Sequence, residues 1–197
     1  MKVLAIVATA LLVSAGMTTP AIAQQGGEDM TFFLTSTGKG SGADLGGLEG
    51  ADAHCNALAQ AAGSKRTSWK AYLSTWLPGG EAGVNARDRI GKGPWYNAKG
   101  VMVAKNLDDL HSDKANVTKE TAISEKGQPT KGRGDTTCGN WTKNGEGSAI
   151  VGHHDRAGLK DTRHMKSWNS SHGSRGCSQD QLKASGGAGL LYCFAPN

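Results

Sequence analysis

Beyond its first two dozen residues the chain lacks any run apolar enough to cross a bilayer, so a membrane span in the body of the protein is not expected. Close cysteine pairs are also missing: no C-x-x-C occurs, and a zinc site built from four cysteines normally brings its ligands in such pairs. There is no G-x-S-x-G, the strained turn that exposes a hydrolase serine, and no histidine pair at the helical i, i+4 spacing of a zinc protease. Apolar residues reach only 37% while glycines number 29, so core material is thin and much of the chain must be turn and loop. Charge of one sign is not abundant either. Against 22 Lys and Arg stand 17 Asp and Glu, a mild, dispersed excess that points away from a nucleic-acid partner yet suits anionic polysaccharide or lipid head groups.

What is present begins with an export pattern. Lys2 precedes an almost uncharged apolar run over 3–17, and Ala21-Ile22-Ala23 offers a small-x-small cleavage site. Residues 1–23 are therefore read as a signal peptide removed after Ala23, the run being short for a membrane anchor, and the mature protein is expected to be secreted or periplasmic. A flexible leader over 24–30 and one domain over 31–197 follow, with no internal repeat. Four cysteines, Cys55, Cys138, Cys177 and Cys193, form an even set that in an exported chain favours two disulfides. Spacing leaves all three pairings open.

Local patterns predict an opening strand over 31–36, a Gly-rich turn, and a helix over 49–62 that buries Cys55 and ends at Gly63. Alternation over 69–74 predicts a half-buried strand; 84–90 is a short helical or irregular piece. A strand is expected over 100–104, and Asn106 with Asp109 has the form of an N-cap and its first-turn acid. From 113 to 137 almost nothing is periodic. Later strands are expected over 138–142, 148–151 and 190–195, with a polar loop between the last two.

Several motifs invite chemistry. Gly38-x-Gly40-x-x-Ala43 has the outline of a dinucleotide fingerprint, but the exported, disulfide-bonded context favours a plain turn. Arg133-Gly134-Asp135 spells an integrin-recognised tripeptide; the bland reading is a turn leading into Cys138. His153, His154 and Asp155, with His164 and His172, carry groups able to ligate zinc or exchange protons, although a solvated loop explains them more simply, and no metal is expected. Asn116, Asn140 and Asn169 head glycosylation sequons. The richest binding chemistry lies around Trp168, a flat apolar ring beside Asn169, His172 and Arg175, the mixture that stacks on sugar C–H faces and reaches hydroxyls. The same Trp168 serves equally well as a core residue.

Taken in order, Ala51-Asp52-Ala53-His54-Cys55, then Trp69-Lys70-Ala71-Tyr72-Leu73-Ser74, then Val84-Asn85-Ala86-Arg87-Asp88 resemble the endostatin domain. Asp135-Thr136-Thr137-Cys138-Gly139-Asn140-Trp141 resembles its D/E-x-x-C-x-x-W stretch, and Leu191-Tyr192-Cys193-Phe194-Ala195 is similar to its last, cysteine-bearing strand. Endostatin belongs to the C-type lectin-like superfamily, which many bacterial exported proteins described as lectins resemble as this chain does. The resemblance implies an α+β fold, a mixed twisted sheet with one main helix and long loops, and nested disulfides Cys55–Cys193 and Cys138–Cys177. It does not carry the calcium site. The nearest matches to the calcium and sugar loops, Gln128-Pro129-Thr130 and Trp168-Asn169-Ser170, end in hydroxyls where an amide or carboxylate ligand is needed, and Ca²⁺ requires several charged oxygens.

The function expected from sequence is thus calcium-independent carbohydrate binding by the 152–176 region. Trp168 would be the platform and His153, Asp155, Asn169, His172 and Arg175 the polar contacts; no cofactor and no catalytic residue is expected. The alternative is an acidic polysaccharide bound by Lys65, Arg66 and Lys70 or by Arg156, Lys160, Arg163 and Lys166. A host-protein adhesin using Arg133 to Asp135 is a further alternative, and a hydrolase built on His153 to Asp155 is the least favoured.

Overall fold

The computed structural model describes residues 29–77, 83–118 and 135–197. The expected signal peptide, most of the leader, Gln128 to Thr130, and Arg133 with Gly134 lie outside them.

The centre of the fold follows from a period of two. In the stretches 32–33, 69–73 and 191–195, successive apolar side chains enter opposite layers, because adjacent residues of an extended chain point to opposite faces. Trp69, Ala71, Leu73, Cys193 and Ala195 join one buried cluster, whereas Tyr72, Tyr192, Phe194 and Phe32 join another. These stretches pair as an antiparallel three-stranded sheet in which β7 (Tyr192–Phe194) lies between β1 (Phe32–Leu34) and β2 (Lys70–Ala71). β7 is buried on both faces, so the 69–74 region meets a two-layered core rather than one core and solvent. Met30, placed in the leader by sequence, is already buried in the first cluster.

One layer is closed by α1 (Gly47–Ala61), the longest helix among the described residues, which buries Ala51, Asp52, Cys55 and Ala59. Asp52 brings a charge inside. Its carboxylate receives two hydrogen bonds from Arg89 at 2.9 and 2.7 Å, one from Lys70 at 2.8 Å and one from the Ala71 amide at 3.0 Å. Arg89 belongs to α2 (Ala86–Arg89), so one carboxylate ties α1, β2 and α2 together. Such a buried pair is tolerated only where its hydrogen-bonding capacity is filled, as it is here.

In place of the expected mixed twisted sheet, the described residues form three small antiparallel ones. Besides the central sheet there are β3 (Trp95–Tyr96) with β4 (Met102–Ala104), and β5 (Ile150–Val151) with β6 (His172–Gly173). α3 (Leu107–Leu110) starts at Asn106, whose side chain accepts from the Asp109 amide as its sequence predicts. The strand expected over 138–142 does not form. Cys138, Gly139, Asn140 and Trp141 all have positive φ, so α4 (Cys138–Trp141) is a left-handed turn. Three non-glycine residues in that region are unfavourable by roughly 1–2 kcal/mol each. Tertiary bonds hold them: Asn140 binds both polar groups of the Trp76 backbone, and the Trp141 indole donates to the Ser74 carbonyl at 2.7 Å. The expected polar loop before β7 contains a helix, α5 (Gln179–Ala184), opened by a capping box between Ser178 and Gln181.

Both disulfides form, Cys55–Cys193 and Cys138–Cys177. The first joins α1 to the central strand, and the second ties the left-handed turn to the start of α5.

Candidate functional site

A cleft of about 870 Å³ opens where α2, α3 and the loop over 152–171 meet. Its charged wall comes from three stretches distant in sequence: Arg87 of α2, Asp113 beyond α3, and Arg156, Asp161, Arg163 and Lys166 of the loop. Arg163 pairs with Asp113 at 2.7 Å, Lys166 pairs with Asp161, and Arg87 pairs with Asp108 at 2.6 Å. These are solvent-exposed partnerships; the Arg163 side chain is 81% exposed and that of Asp113 is 68% exposed. Pairs of that kind contribute little and exchange readily for a ligand charge.

Arg156 is different. Its guanidinium donates to the carbonyls of Val117 at 2.7 Å, Asp113 at 3.1 Å and Ala115 at 3.0 Å. Carbonyl dipoles hold the group in position without cancelling its charge, so Arg156 both anchors the loop to the 113–117 segment and leaves a fixed positive centre on the cleft wall.

The floor is largely polar, with Trp168 and Asn169 buried and His111, Ser167 and Ser170 half-buried. Trp168 and Asn169 reach it from the loop, His111 from the end of α3, and Ser167 and Ser170 flank Asn169. His111 Nδ1 lies 2.6 Å from the Leu107 carbonyl and Nε2 lies 2.7 Å from the Tyr72 hydroxyl. Asn169 donates through Nδ2 to that hydroxyl at 3.2 Å and accepts through Oδ1 from Ser167 at 3.0 Å and Ser170 at 3.3 Å. Tyr72 reaches this chain because alternation in the 69–73 stretch turns it opposite to Ala71. Burial holds the His111 imidazole below the ordinary histidine value; the Leu107 carbonyl opposes this, Arg87 adds to it and Asp108 partly offsets it.

The sequence-derived site is divided by the fold. Trp168 and Asn169 line the cleft, but Trp168 is only 4% exposed. Its ring packs 4.9 Å from Tyr72, 5.1 Å from Tyr192 and 5.9 Å from His111, and its indole donates to the Leu110 carbonyl at 3.0 Å. It is a core residue with no open face for stacking, which corrects the platform expectation. His153, Asp155, His172 and Arg175 lie outside the cleft lining. His153 and His172 instead pack at 5.1 Å next to the β5–β6 ladder. Burial lowers the His153 pKa, followed by the nearby His172 charge and, more weakly, His154, against an opposing pull from Asp155. The Asp155 carboxylate closes a local turn onto the Ala157 amide. Arg175 is exposed and binds Ser185 through its backbone. Among the described residues no three His, Cys, Asp or Glu side chains converge as a metal site would require.

Of the two basic clusters, the one around Arg156, Arg163 and Lys166 enters the cleft; exposed Lys160 does not line it. Lys65 and Arg66 are exposed elsewhere and Lys70 is bound to Asp52. The half-buried Asp135 carboxylate is occupied within its own turn, accepting from the Thr137 hydroxyl and amide and from the Gly139 amide. Sequence reasoning missed Arg87, His111 and Ser112. The Asn106 N-cap, which starts the short α3 and so places His111 and Ser112 just past its end, was the local signal for those two; nothing local pointed to Arg87.

No family model and no curated protein sequence matches the chain.

Proposed function

We propose that this protein is an exported, calcium-independent carbohydrate-binding protein with a C-type lectin-like fold, and that its cleft takes acidic saccharides. The observation that carries the reading is the cleft itself, where exchangeable cations, Arg163, Lys166 and Arg87, surround a floor of amide and hydroxyl groups, with Arg156 fixed beside them. Carboxylate or sulfate groups suit the wall and sugar hydroxyls suit the floor. Burial of Trp168 weighs against the stacked, neutral-glycan version. Two observations support calcium independence: no three acidic or imidazole side chains converge among the described residues, and Ser170 supplies a hydroxyl where a charged oxygen would be needed. Two disulfides favour an oxidising compartment, periplasmic or extracellular. An adhesin reading through Arg133 to Asp135 has less support, because the Asp135 carboxylate is occupied within its own turn.

The test is calorimetric titration of a sulfated, uronate-containing oligosaccharide against its desulfated, carboxyl-reduced counterpart, each with and without EDTA. The acidic sugar is expected to bind in both conditions and to weaken steeply from low salt to physiological salt, where the screening length is ~8 Å. Arg163→Gln and Lys166→Gln are each expected to weaken it up to about tenfold while leaving thermal unfolding unchanged. Equal affinity for the two sugars, or binding abolished by EDTA, would sink the proposal.

A further inference from the structure

The floor of the cleft has a direction. A carbonyl oxygen can only accept, so the 2.6 Å contact between His111 Nδ1 and the Leu107 carbonyl puts the proton on Nδ1. In the neutral ring Nε2 is then an acceptor, and the Tyr72 hydroxyl must donate to it across 2.7 Å. With its proton so committed, the Tyr72 oxygen accepts the Asn169 Nδ2 proton at 3.2 Å. That orients the amide and turns Asn169 Oδ1 to Ser167 and Ser170, whose hydroxyls donate to it at 3.0 and 3.3 Å. Ser167 Oγ also accepts the Ser170 amide at 3.1 Å, so the Ser170 oxygen is the acceptor left to address the cleft.

We infer that this relay sets the ligand specificity of the floor: His111, Tyr72 and Asn169 act as positioning residues that present the Ser170 oxygen as a hydrogen-bond acceptor, so that the bound sugar must donate a hydroxyl there. The inference rests on the cleft being a saccharide site. It adds that the ligand meets the wall with an anion and the floor with a hydroxyl proton.

The relay is reversible by one proton. Protonated at Nε2, His111 must donate to Tyr72; Tyr72 then donates to Asn169, the amide turns over, and the serine hydroxyls swing to accept from Nδ2. The Ser170 proton is then released toward the cleft, and the floor becomes a donor. Tyr72 from the end of β2 bonds to His111, Arg87 from α2 and Asp108 from α3 act on its charge, and Asp113, Arg156, Asp161, Arg163, His164 and Lys166 line the same cleft. His164 is the other imidazole of the cleft, so a His164→Gln background isolates the effect.

Two measurements test this. The first needs no ligand: ¹⁵N-detected imidazole NMR at pH 7.5 is expected to show His111 protonated on Nδ1, with the hydrogen-bond signature at Nε2 lost in Tyr72→Phe. An Nε2–H tautomer would overturn the relay. The second titrates an oligouronate and its O-methylated derivative, which keeps the carboxylates but has no hydroxyl protons. The free-hydroxyl form is expected to bind at least tenfold more tightly at pH 7.5, and the ratio should collapse in Ser170→Ala and, in the His164→Gln protein, shrink over the pH range in which the imidazole NMR shows His111 taking up its second proton. A ratio that persists in Ser170→Ala reports bulk rather than a floor acceptor and overturns the inference. If neither sugar binds, the saccharide reading of the cleft fails, and with it the hydroxyl specificity, while the tautomer still decides whether the floor has this polarity.

Discussion

The Asp135 carboxylate accepts from Thr137 and Gly139 and thereby closes the entry to the left-handed turn at Cys138. Burial works against its ionisation, but these hydrogen bonds, helped by Lys143, hold its pKa below the ordinary value. Its contribution is therefore present above the unfolded carboxylate pKa and is lost as pH falls through the depressed folded one. Asp135→Asn keeps one acceptor oxygen and is expected to lower stability by about 1–2 kcal/mol in urea unfolding at neutral pH, with a smaller loss in strong acid. His111 gives a dependence of the same sign from a different cause, burial rather than hydrogen bonding to the charged form. Its folded pKa lies below the unfolded value of roughly 6.5, so between the two the unfolded chain binds more protons and stability falls as pH falls. The urea midpoint should drop from pH 7.5 to pH 5, and the drop should be smaller in His111→Gln. His153, lowered in the same direction, leaves a residual slope.

Helix starts among the described elements are set by short polar signals, and they differ in how much the sequence reveals. Asn106 caps α3 and was legible, because cap and first-turn acid sit within four residues. Ser178 with Gln181 forms a full capping box on α5, yet that helix is only six residues long and offers too little periodicity to announce itself. Ser178→Ala should lower stability by about 1 kcal/mol, and the same substitution logic applies to Asn106→Ala. Elements joined through charge are less forgiving. Asp52→Ala leaves Arg89 and Lys70 without their carboxylate between α1, β2 and α2, and a loss of about 3–5 kcal/mol is expected in denaturant unfolding. A loss below about 1 kcal/mol would mean that water replaces the carboxylate at no great penalty and that the cluster does not hold these elements together.

At the scale of the molecule, two covalent links compensate for a chain with little apolar material. Cys55–Cys193 spans 138 residues and Cys138–Cys177 spans 39, so each is worth about 4–5 kcal/mol if chain entropy is the dominant effect. Replacing either pair with serine should remove a large part of a net stability of the usual ~5–15 kcal/mol. The urea midpoint checks it, and the longer link is expected to have the larger effect.

The sequence by itself determined the features whose physics is local. Alternation over 69–74 announced a strand and a further strand was expected over 190–195, helical spacing found α1 and buried Cys55, and the Asn106 cap started α3; each rests on contacts within a turn or a pleat. An even cysteine count indicated two disulfides, while the partners came only from the family resemblance and from the fold. Tertiary structure alone decided the rest. It turned 138–141 left-handed through bonds to Trp76 and Ser74, and it buried Trp168 against Tyr72 and Tyr192. It also gathered Arg87, His111 and Asn169 around one cleft and separated them from His172 and Arg175. Those outcomes depend on which distant segments pack together, and no periodicity in a single stretch encodes the side chain that will lie opposite it.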